Sequence, residues 1–269
     1  MSGFSSDIVN CQKMKIYHYT SIDALAMILS NKTFRFGRLD TVDDPDEFSY
    51  KNTYGINPAQ YIYVSCWSNN PNESIPQWKI YGNNQKGVRI ALDNEMFPIS
   101  YEQIEKGRIA PYLLNDSFFA DKDYMASLPY VHNHTEHEFF KAVSCVDDPK
   151  AEMEGEYIKV DKKTGTDLGK IGVCKNHDWH FLNEHRFRIC VVPKKKYTDR
   201  VTPFDVAFRD NIPYKEKYVD LPILESVFDK MEVTLGPKVG ADGEVIVKAL
   251  MSKFLGREDC KYSVFKGLV

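Results

Sequence analysis

A histidine followed by two hydroxyl residues lies near the start of the chain, in residues 17–21 (YHYTS). Alternating residue character predicts a strand over residues 14–19, with the His18 side chain on one face. The spacing of Thr20 and Asp23 resembles a capping box, so a helix is predicted directly after the strand. This arrangement brings an imidazole, backbone N–H groups and the positive end of a helix dipole together, which suits a ribose or a phosphate. The alternative is a structural histidine within a strand.

Metal-binding side chains are also present, but their surroundings argue against a metal site. Three histidines stand close together in the middle of the chain, at His132, His134 and His137, and the last two would lie one helical turn apart. Their neighbours are polar and acidic, as on an ordinary solvent-facing helix. The acidic residues 43–47 (DDPDE) lack the ligand pattern of an EF-hand loop. We therefore expect no metal.

Composition limits the remaining classes of function. The 269 residues carry a net charge of −3, which argues against a general nucleic-acid binder. Phosphate-binding loop, dinucleotide-binding, serine-hydrolase and zinc-peptidase motifs are missing. No apolar run is long enough for a membrane span, the N-terminus does not resemble a signal peptide, and the six cysteines include no C-x-x-C pair. These features predict a soluble cytoplasmic protein without membrane partners.

Strand and helix patterns alternate irregularly along the chain, which predicts an α+β fold rather than a doubly wound α/β fold. A polar N-terminal arm is predicted over residues 1–13 and a single domain over residues 14–269. The predicted strands cover residues 14–19, 33–39, 61–67, 87–92, 187–192, 231–235 and 262–265, with a hairpin over 156–160 and 170–174. Helices are predicted over residues 22–31, 76–81, 116–128, 134–146 and 244–254. The chain therefore opens as strand, helix, strand.

Short motifs along the chain resemble those of an uncharacterised bacterial domain-of-unknown-function family. In chain order they are residues 16–21 (IYHYTS), 34–39 (FRFGRL), 43–47 (DDPDE), 64–68 (VSCWS), 78–82 (WKIYG), 86–88 (KGV), 187–189 (FRI) and 235–238 (LGPK). That family in turn looks like the ADP-ribosyltransferase fold, which opens with a His-x-Thr strand, a helix and a second strand. The resemblance implies a split, twisted sheet with flanking helices.

The resemblance also implies that the chain binds NAD as a substrate. His18 and the backbone of Thr20 would hold the adenosine ribose. Arg35 or Arg38 would face the pyrophosphate, where a guanidinium can donate two parallel hydrogen bonds.

The nicotinamide ring of NAD would stack on an aromatic side chain in this reading. The candidates implied by the resemblance are Tyr63, on a predicted strand, and Trp78 and Tyr81, on a predicted short helix. Ser65 is a further candidate binding residue, and we expect it in the same cleft as His18.

A catalytic carboxylate is implied at Glu184. It would bond the 2-hydroxyl of the nicotinamide ribose and stabilise the oxocarbenium ion that forms when nicotinamide leaves. The family places a second glutamate where this chain has Arg186, and an asparagine where it has Asp43. Glu47 is the fallback carboxylate. The alternative for Glu184 is a surface acid, just ahead of a strand, that pairs with Arg186 or Arg188.

These implications lead to one expected function and two alternatives. The expected function is NAD-dependent ADP-ribosylation of a macromolecule, either protein or nucleic acid, by a toxin or a phage-defence effector. A module that binds a nucleotide without chemistry would keep the same fold and cleft. An NAD glycohydrolase would use the same site with water as the acceptor. The most informative structural test is whether His18, Ser65 and Glu184 converge on one cleft.

Overall fold

The computed structural model describes residues 13–48, 57–97, 130–132, 139–154, 171–192 and 211–268. The strands in these residues are β1 (Lys15–Thr20), β2 (Thr33–Arg38), β3 (Ile62–Ser68), β4 (Val88–Asp93), β5 (Tyr130–His132), β6 (Phe140–Ala142), β7 (Ser144–Val146), β8 (Cys174–Asn176), β9 (Glu184–Val192), β10 (Tyr218–Pro222), β11 (Glu232–Leu235) and β12 (Lys261–Tyr262). The α-helices are α1 (Ile22–Asn31), α2 (Ile75–Ile80), α3 (Pro149–Glu154) and α4 (Ala241–Leu255), and short 3₁₀ helices include Pro45–Glu47 and His177–Leu182. The protein is a mixed α+β structure.

Ten of the described strands form one mixed sheet. Its main path runs β10-β2-β3-β1-β4-β11-β12, and β9 pairs with β3 and carries β5 and β6. The strands pair antiparallel, except for the parallel pair of β11 and β12. A second sheet of two strands pairs β7 with β8 in parallel. The strongest ladders join β1 to β4 and β3 to β9, with six and seven registered pairs.

Strand β3 meets two different strands along one of its edges. β9 occupies one edge of β3 over its full length. A strand has two hydrogen-bonding edges, so β1 and β2 share the other edge. β2 pairs there with Tyr63 and Val64, whereas β1 pairs at the opposite end, through Tyr17 and Ser68. The sheet therefore opens between β1 and β2, opposite the middle of β3.

The turn from β1 into α1 is capped by a hydroxyl, but the capping residue is Ser21 rather than the predicted Thr20. The hydroxyl of Ser21 accepts a hydrogen bond from the backbone N–H of Ala24 at 3.0 Å, which satisfies one of the free donors of the first turn. The helix ends at Lys32, which adopts the left-handed conformation with φ 54°. Leu25 and Leu29 of α1 are buried in the core. This packing fixes the direction in which the chain leaves the opening of the sheet.

The apolar core packs against one face of the sheet, and the other face of β3 and β9 turns away from it. Side chains alternate between the two faces along a strand. The core face includes Ile16, Phe34, Phe36, Tyr63, Trp67, Ile90, Phe187 and Ile189. The alternate positions of β3 and β9 carry Cys66, Glu184 and Arg186, together with the buried apolar residues Ile62 and Val64. One strand pair thus supplies both the core and a charged surface.

The helix predicted over residues 134–146 is wrong from Phe140 onward. β6 and β7 form there instead. The ring of Phe140 packs on His185 and Phe187, with centroid distances of 5.3 and 4.5 Å. Pairing with the distant strand β9 overrides the local helical spacing, because aromatic and β-branched residues fit a half-buried sheet surface.

The position of Glu184 also differs from the prediction. β9 begins at Glu184 itself, three residues before the predicted strand start, so this acid lies within the sheet and pairs with Ser68 of β3. The predicted helix over residues 116–128, residues 156–160 and 170 of the predicted hairpin and residues 1–12 of the arm lie outside the described residues. The second hairpin strand is wrong over residues 171–173, which form a turn, and β8 begins at Cys174 and pairs in parallel with β7.

Candidate functional site

His18 bridges the opening between β1 and β2. Its Nδ1 lies 3.0 Å from the backbone carbonyl oxygen of Cys66, in the middle of β3. A carbonyl oxygen only accepts hydrogen bonds, so Nδ1 carries the proton. Burial lowers the pKa of His18 and outweighs this hydrogen bond, which raises it. The ring is therefore neutral at pH 7, and its Nε2 is a hydrogen-bond acceptor.

A cavity of about 270 Å³ occupies this opening of the sheet. Its wall combines aromatic rings with charged groups, which include Tyr17, His18 and Tyr19 of β1, Cys66 and Trp67 of β3, Tyr81 after α2, Lys175 of β8, and Glu184 and Arg186 of β9. Ligand pockets have volumes of about 300–1,000 Å³, so this cavity is slightly smaller than the lower limit of that range. It suits one nucleoside-sized part of a larger ligand.

Four charged side chains form a buried group at the cavity, which we call the charge cluster: Glu47, Lys175, Glu184 and Arg186. The Nε of Arg186 donates to Glu184 Oε1 at 2.6 Å, and its two Nη atoms donate to the two oxygens of Glu47. The Nζ of Lys175 lies 3.2 Å from Glu184 Oε2 and 3.3 Å from Glu47 Oε1. Each acid contacts both bases, and the formal charges of the cluster sum to zero.

The charge cluster keeps Glu184 and Lys175 ionised. Burial would raise the pKa of Glu184, but the positive charges of Arg186 and Lys175 outweigh it and lower that pKa to about 2. Burial would lower the pKa of Lys175, yet Glu184 and Glu47 outweigh it, and the pKa lies above its usual value. Glu184 is therefore a fixed negative charge at neutral pH and is unsuited to exchanging a proton there.

Two other groups in the cavity wall remain protonated at neutral pH. Burial raises the pKa of the Cys66 thiol, and the charge of Glu184 raises it further. The same two causes raise the pKa of the Tyr81 phenol. Because the thiolate is the reactive form of cysteine, Cys66 is not an activated nucleophile. The cavity wall thus combines the carboxylate side chains of Glu184 and Asp43 and the cations Lys175 and Arg186 with a neutral imidazole and neutral phenol and thiol groups.

Three residues implied by the resemblance line the cavity together: His18, Tyr81 and Glu184. Glu47 lies behind the wall, fully buried, where it binds Arg186 and Lys175. Glu184 pairs with Arg186, but it is only 8% exposed, so it is not a surface acid.

Ser65 and Thr20 lie away from the cavity lining. Ser65 is buried on the core face of β3, where its hydroxyl accepts a hydrogen bond from Trp67 Nε1 at 3.1 Å. It is not among the residues of the cavity wall, and its hydroxyl is already bound to Trp67. Thr20 is buried at the end of β1. Of the three residues expected to converge on one cleft, the structure brings together His18 and Glu184.

The two arginines expected to bind pyrophosphate are bound elsewhere. Arg35 is exposed on β2, donates two hydrogen bonds of 2.9 Å to Asp220, and stacks over the ring of Tyr218. Arg38 donates to both carboxylate oxygens of Asp40, at 2.7 and 3.0 Å, and to a backbone carbonyl. Neither guanidinium lines the cavity.

Two of the three aromatic candidates are core residues. Tyr63 is fully buried and donates its hydroxyl hydrogen bond to a backbone carbonyl oxygen, that of Glu216. Trp78 is fully buried as well; its Nε1 donates to Glu73 at 2.9 Å, and its ring packs edge-on against Tyr19. Tyr19 is part of the cavity wall, whereas Trp78 is not. Tyr17, Tyr19 and Tyr81 are the tyrosines of the cavity wall.

Sequence reasoning missed Lys175, although a usable signal was present. Lys175 follows the apolar residues 171–174 (IGVC), and a lysine in such a run is buried only when it is paired. Its partners Glu47 and Glu184 could not be identified, because one of them lies 128 positions away in the chain. Arg186 was noted as a departure from the family motif. The structure makes it the centre of the charge cluster.

The described part of the chain has no group of three or more His, Cys, Asp or Glu side chains that could hold a metal ion. It also contains no helix with the length and apolar composition that crossing a bilayer requires. No family model matches the chain, and no similar curated protein or solved structure was found. The geometry of the cavity is therefore the basis on which a function can be assigned.

Proposed function

We propose that the protein binds NAD at the opening of the sheet and transfers ADP-ribose to a macromolecular acceptor. The observation that carries this proposal is that His18 and Glu184, which come from two distant motifs of the resembling family, line the same cavity. That cavity lies where the split of the sheet exposes the middle of β3. The split, ADP-ribosyltransferase-like architecture implied by the resemblance is part of the same proposal.

The chemistry assigns one main role to Glu184. The bond between nicotinamide and the ribose carbon breaks, its electron pair leaves with neutral nicotinamide, and positive charge develops on the ribose. A fixed carboxylate beside this charge stabilises the transition state more than the ground state, which lowers the barrier. An acceptor oxygen or nitrogen then bonds to the same carbon and loses a proton to solvent.

The neutral imidazole of His18 has a binding role in this proposal. Its Nδ1–H is committed to Cys66, so the remaining Nε2 accepts a hydrogen bond from a ribose hydroxyl. Tyr17 and Tyr81 supply flat apolar surfaces in the cavity wall, against which a nicotinamide ring can stack. A nucleoside with free hydroxyl groups satisfies both kinds of contact.

The test compares nicotinamide release by the wild type with that of two variants at Glu184. Glu184→Gln removes the charge, and Glu184→Asp keeps the charge but withdraws it by one methylene. Loss of one preorganised electrostatic group lowers rates by about 10²–10³-fold, and we expect this loss for the glutamine variant. Glu258→Gln is the matched control, because Glu258 is exposed near the C-terminus. Release by Glu184→Gln at the wild-type rate would contradict the catalytic role.

A second candidate function is binding of the nucleotide without chemistry. It is favoured by the pairing of Glu184, since both of its oxygens already contact Arg186 or Lys175. NAD would then raise the thermal midpoint, because a ligand that binds only the native state stabilises it. Nicotinamide would not be released, even with cell extract as a source of acceptors. Release that does not need the extract would indicate that water is the acceptor.

A further inference from the structure

A dinucleotide in the cavity needs a cationic partner for its phosphates, and the expected arginines do not provide one. Arg35 and Arg38 are held by Asp220 and Asp40 outside the cavity. Within the described residues, the cations in the cavity wall are Lys175 and Arg186. The question is which of the two can turn to a ligand.

Arg186 is fixed by its hydrogen bonds. It is 1% exposed, and it donates to Glu184, to both oxygens of Glu47 and to the carbonyl oxygen of Gly172. The planar guanidinium of Arg186 matches the positions of these acceptors. If it moved, two buried carboxylates and a carbonyl oxygen would lose their hydrogen bonds from Arg186.

Lys175 is held less tightly. Its two contacts with Glu184 and Glu47 are 3.2 and 3.3 Å long, whereas Arg186 approaches Glu184 to 2.6 Å. Its ammonium group sits at the end of a flexible four-carbon chain and also lies 4.6 Å from the ring centroid of Trp179. If Lys175 turns away, both acids keep Arg186 as a partner.

We propose that Lys175 is the anion-binding residue of the cavity and that it exchanges its ion pair with Glu184 for a phosphoryl group of the ligand. The exchange frees Oε2 of Glu184, while Oε1 stays bound to Arg186. A hydroxyl of the same ligand donates to the freed oxygen. The cavity therefore takes a ligand that carries both a hydroxyl and a phosphoryl group, which is the chemistry of a phosphorylated sugar. This inference rests on the proposed function where it treats that ligand as NAD.

The experiment uses two probes, inorganic pyrophosphate and NAD, and measures the thermal midpoint of the full chain with each. The wild type is compared with Lys175→Met and Lys175→Arg. Lys217→Met serves as the control, because Lys217 is exposed and not part of the cavity wall. We expect Lys175→Met to weaken binding of both probes by at least about tenfold, as for loss of a charged hydrogen bond. Lys175→Arg should bind pyrophosphate, and Lys217→Met should behave as the wild type.

A second variant covers the case in which Lys175→Met does not fold. The double change Lys175→Met and Glu184→Gln removes one charge of each sign, so Glu47 and Arg186 remain as a balanced pair. Pyrophosphate should fail to stabilise this variant. If pyrophosphate raises the thermal midpoint of this variant as much as that of the wild type, Lys175 does not bind the anion.

The two probes separate this inference from the proposed function. If pyrophosphate stabilises the wild type but not Lys175→Met, while NAD has no effect on either, the inference holds and NAD is the wrong ligand. If NAD stabilises both proteins equally, NAD remains the ligand and the role of Lys175 is wrong. If neither probe changes the thermal midpoint of the wild type, the inference is also wrong.

Discussion

Arg186 lies directly opposite Cys66 in the antiparallel register of β9 and β3. The same register sets Glu184 opposite Ser68, two residues along, so both charged side chains project from the same face of the sheet. Phe187, between Arg186 and Arg188, projects into the core instead. A shift of one residue in this pairing would bury the charges among the aromatic rings and expose Phe187. The register of β3 and β9 thus determines both the core and the cavity.

Enlarging Gly37 should block the cavity without loss of stability. Gly37 is part of the cavity wall, and a Cβ at this position would meet no atom within 4 Å. Gly37→Val therefore places two methyl groups in the cavity, while a β-branched residue favours the strand by up to about 1 kcal/mol. We expect an unchanged or higher urea midpoint and no rise in the thermal midpoint with NAD.

The control for Gly37→Val is Arg35→Val on the same strand. Arg35 is exposed and paired with Asp220, so this change should cost no more than about 1 kcal/mol. Its response to NAD should equal that of the wild type. Loss of the NAD response in Arg35→Val alone would place the ligand near the outer part of β2 instead.

Glu47 and Arg186 should show strong energetic coupling. Arg186→Met leaves two buried acids with one base, and Glu47→Gln leaves two bases with one acid, so each change should cost about 3–5 kcal/mol. The double variant keeps the pair of Lys175 and Glu184 and restores zero net charge. We expect the double variant to lose no more unfolding free energy than either single variant, as measured by urea denaturation. Costs that simply add would show that the charge cluster does not act as a unit.

The stability that Glu184 contributes should be lost in acid. The pKa of Glu184 is about 2 in the folded protein, whereas its ordinary value is 4.5. The folded state therefore binds the proton less readily than the unfolded chain does. The contribution is therefore complete above about pH 4.5 and disappears as the pH falls towards 2, in total roughly 3 kcal/mol. The difference in unfolding free energy between wild type and Glu184→Gln should shrink between pH 5 and pH 3. A difference that stays constant over this range would contradict the assigned pKa.

The sequence predicts the local elements of this fold well. The strand, helix and strand at the start have caps and alternating patterns that depend on neighbours within a few residues, although the cap of α1 is Ser21 and not the predicted Thr20. The prediction of a helix in the segment that contains Phe140 is wrong, because the conformation of this segment depends on β9, which follows much later in the chain. Local spacing carries no information about that pairing.

The site was predictable only in part, for a related reason. The alternation of Glu184, Arg186 and Arg188 with His185, Phe187 and Ile189 indicates that these charges share one face of a strand. It does not indicate that Glu47, 139 positions before Arg186, completes the charge cluster. A motif of the resembling family implies a binding role for Arg35, but the position of this residue beside Asp220 depends on the pairing of β2 with β10.

The opening of the sheet also bears on how the protein folds. β1, β4, β11 and β12 lie on one side of it, and β2, β3, β9 and β10 lie on the other; the two sets meet in the single registered pair of Tyr17 and Ser68. The chain does not complete one set before it starts the other. It passes from β1 to β2 and β3 in the second set and returns to the first set at β4. It then enters the second set again for β9 and β10 and returns to the first set at β11. Neither set is a continuous piece of chain that could fold alone. An almost interrupted sheet is therefore expected to unfold in one cooperative transition, since each set depends on connections through the other.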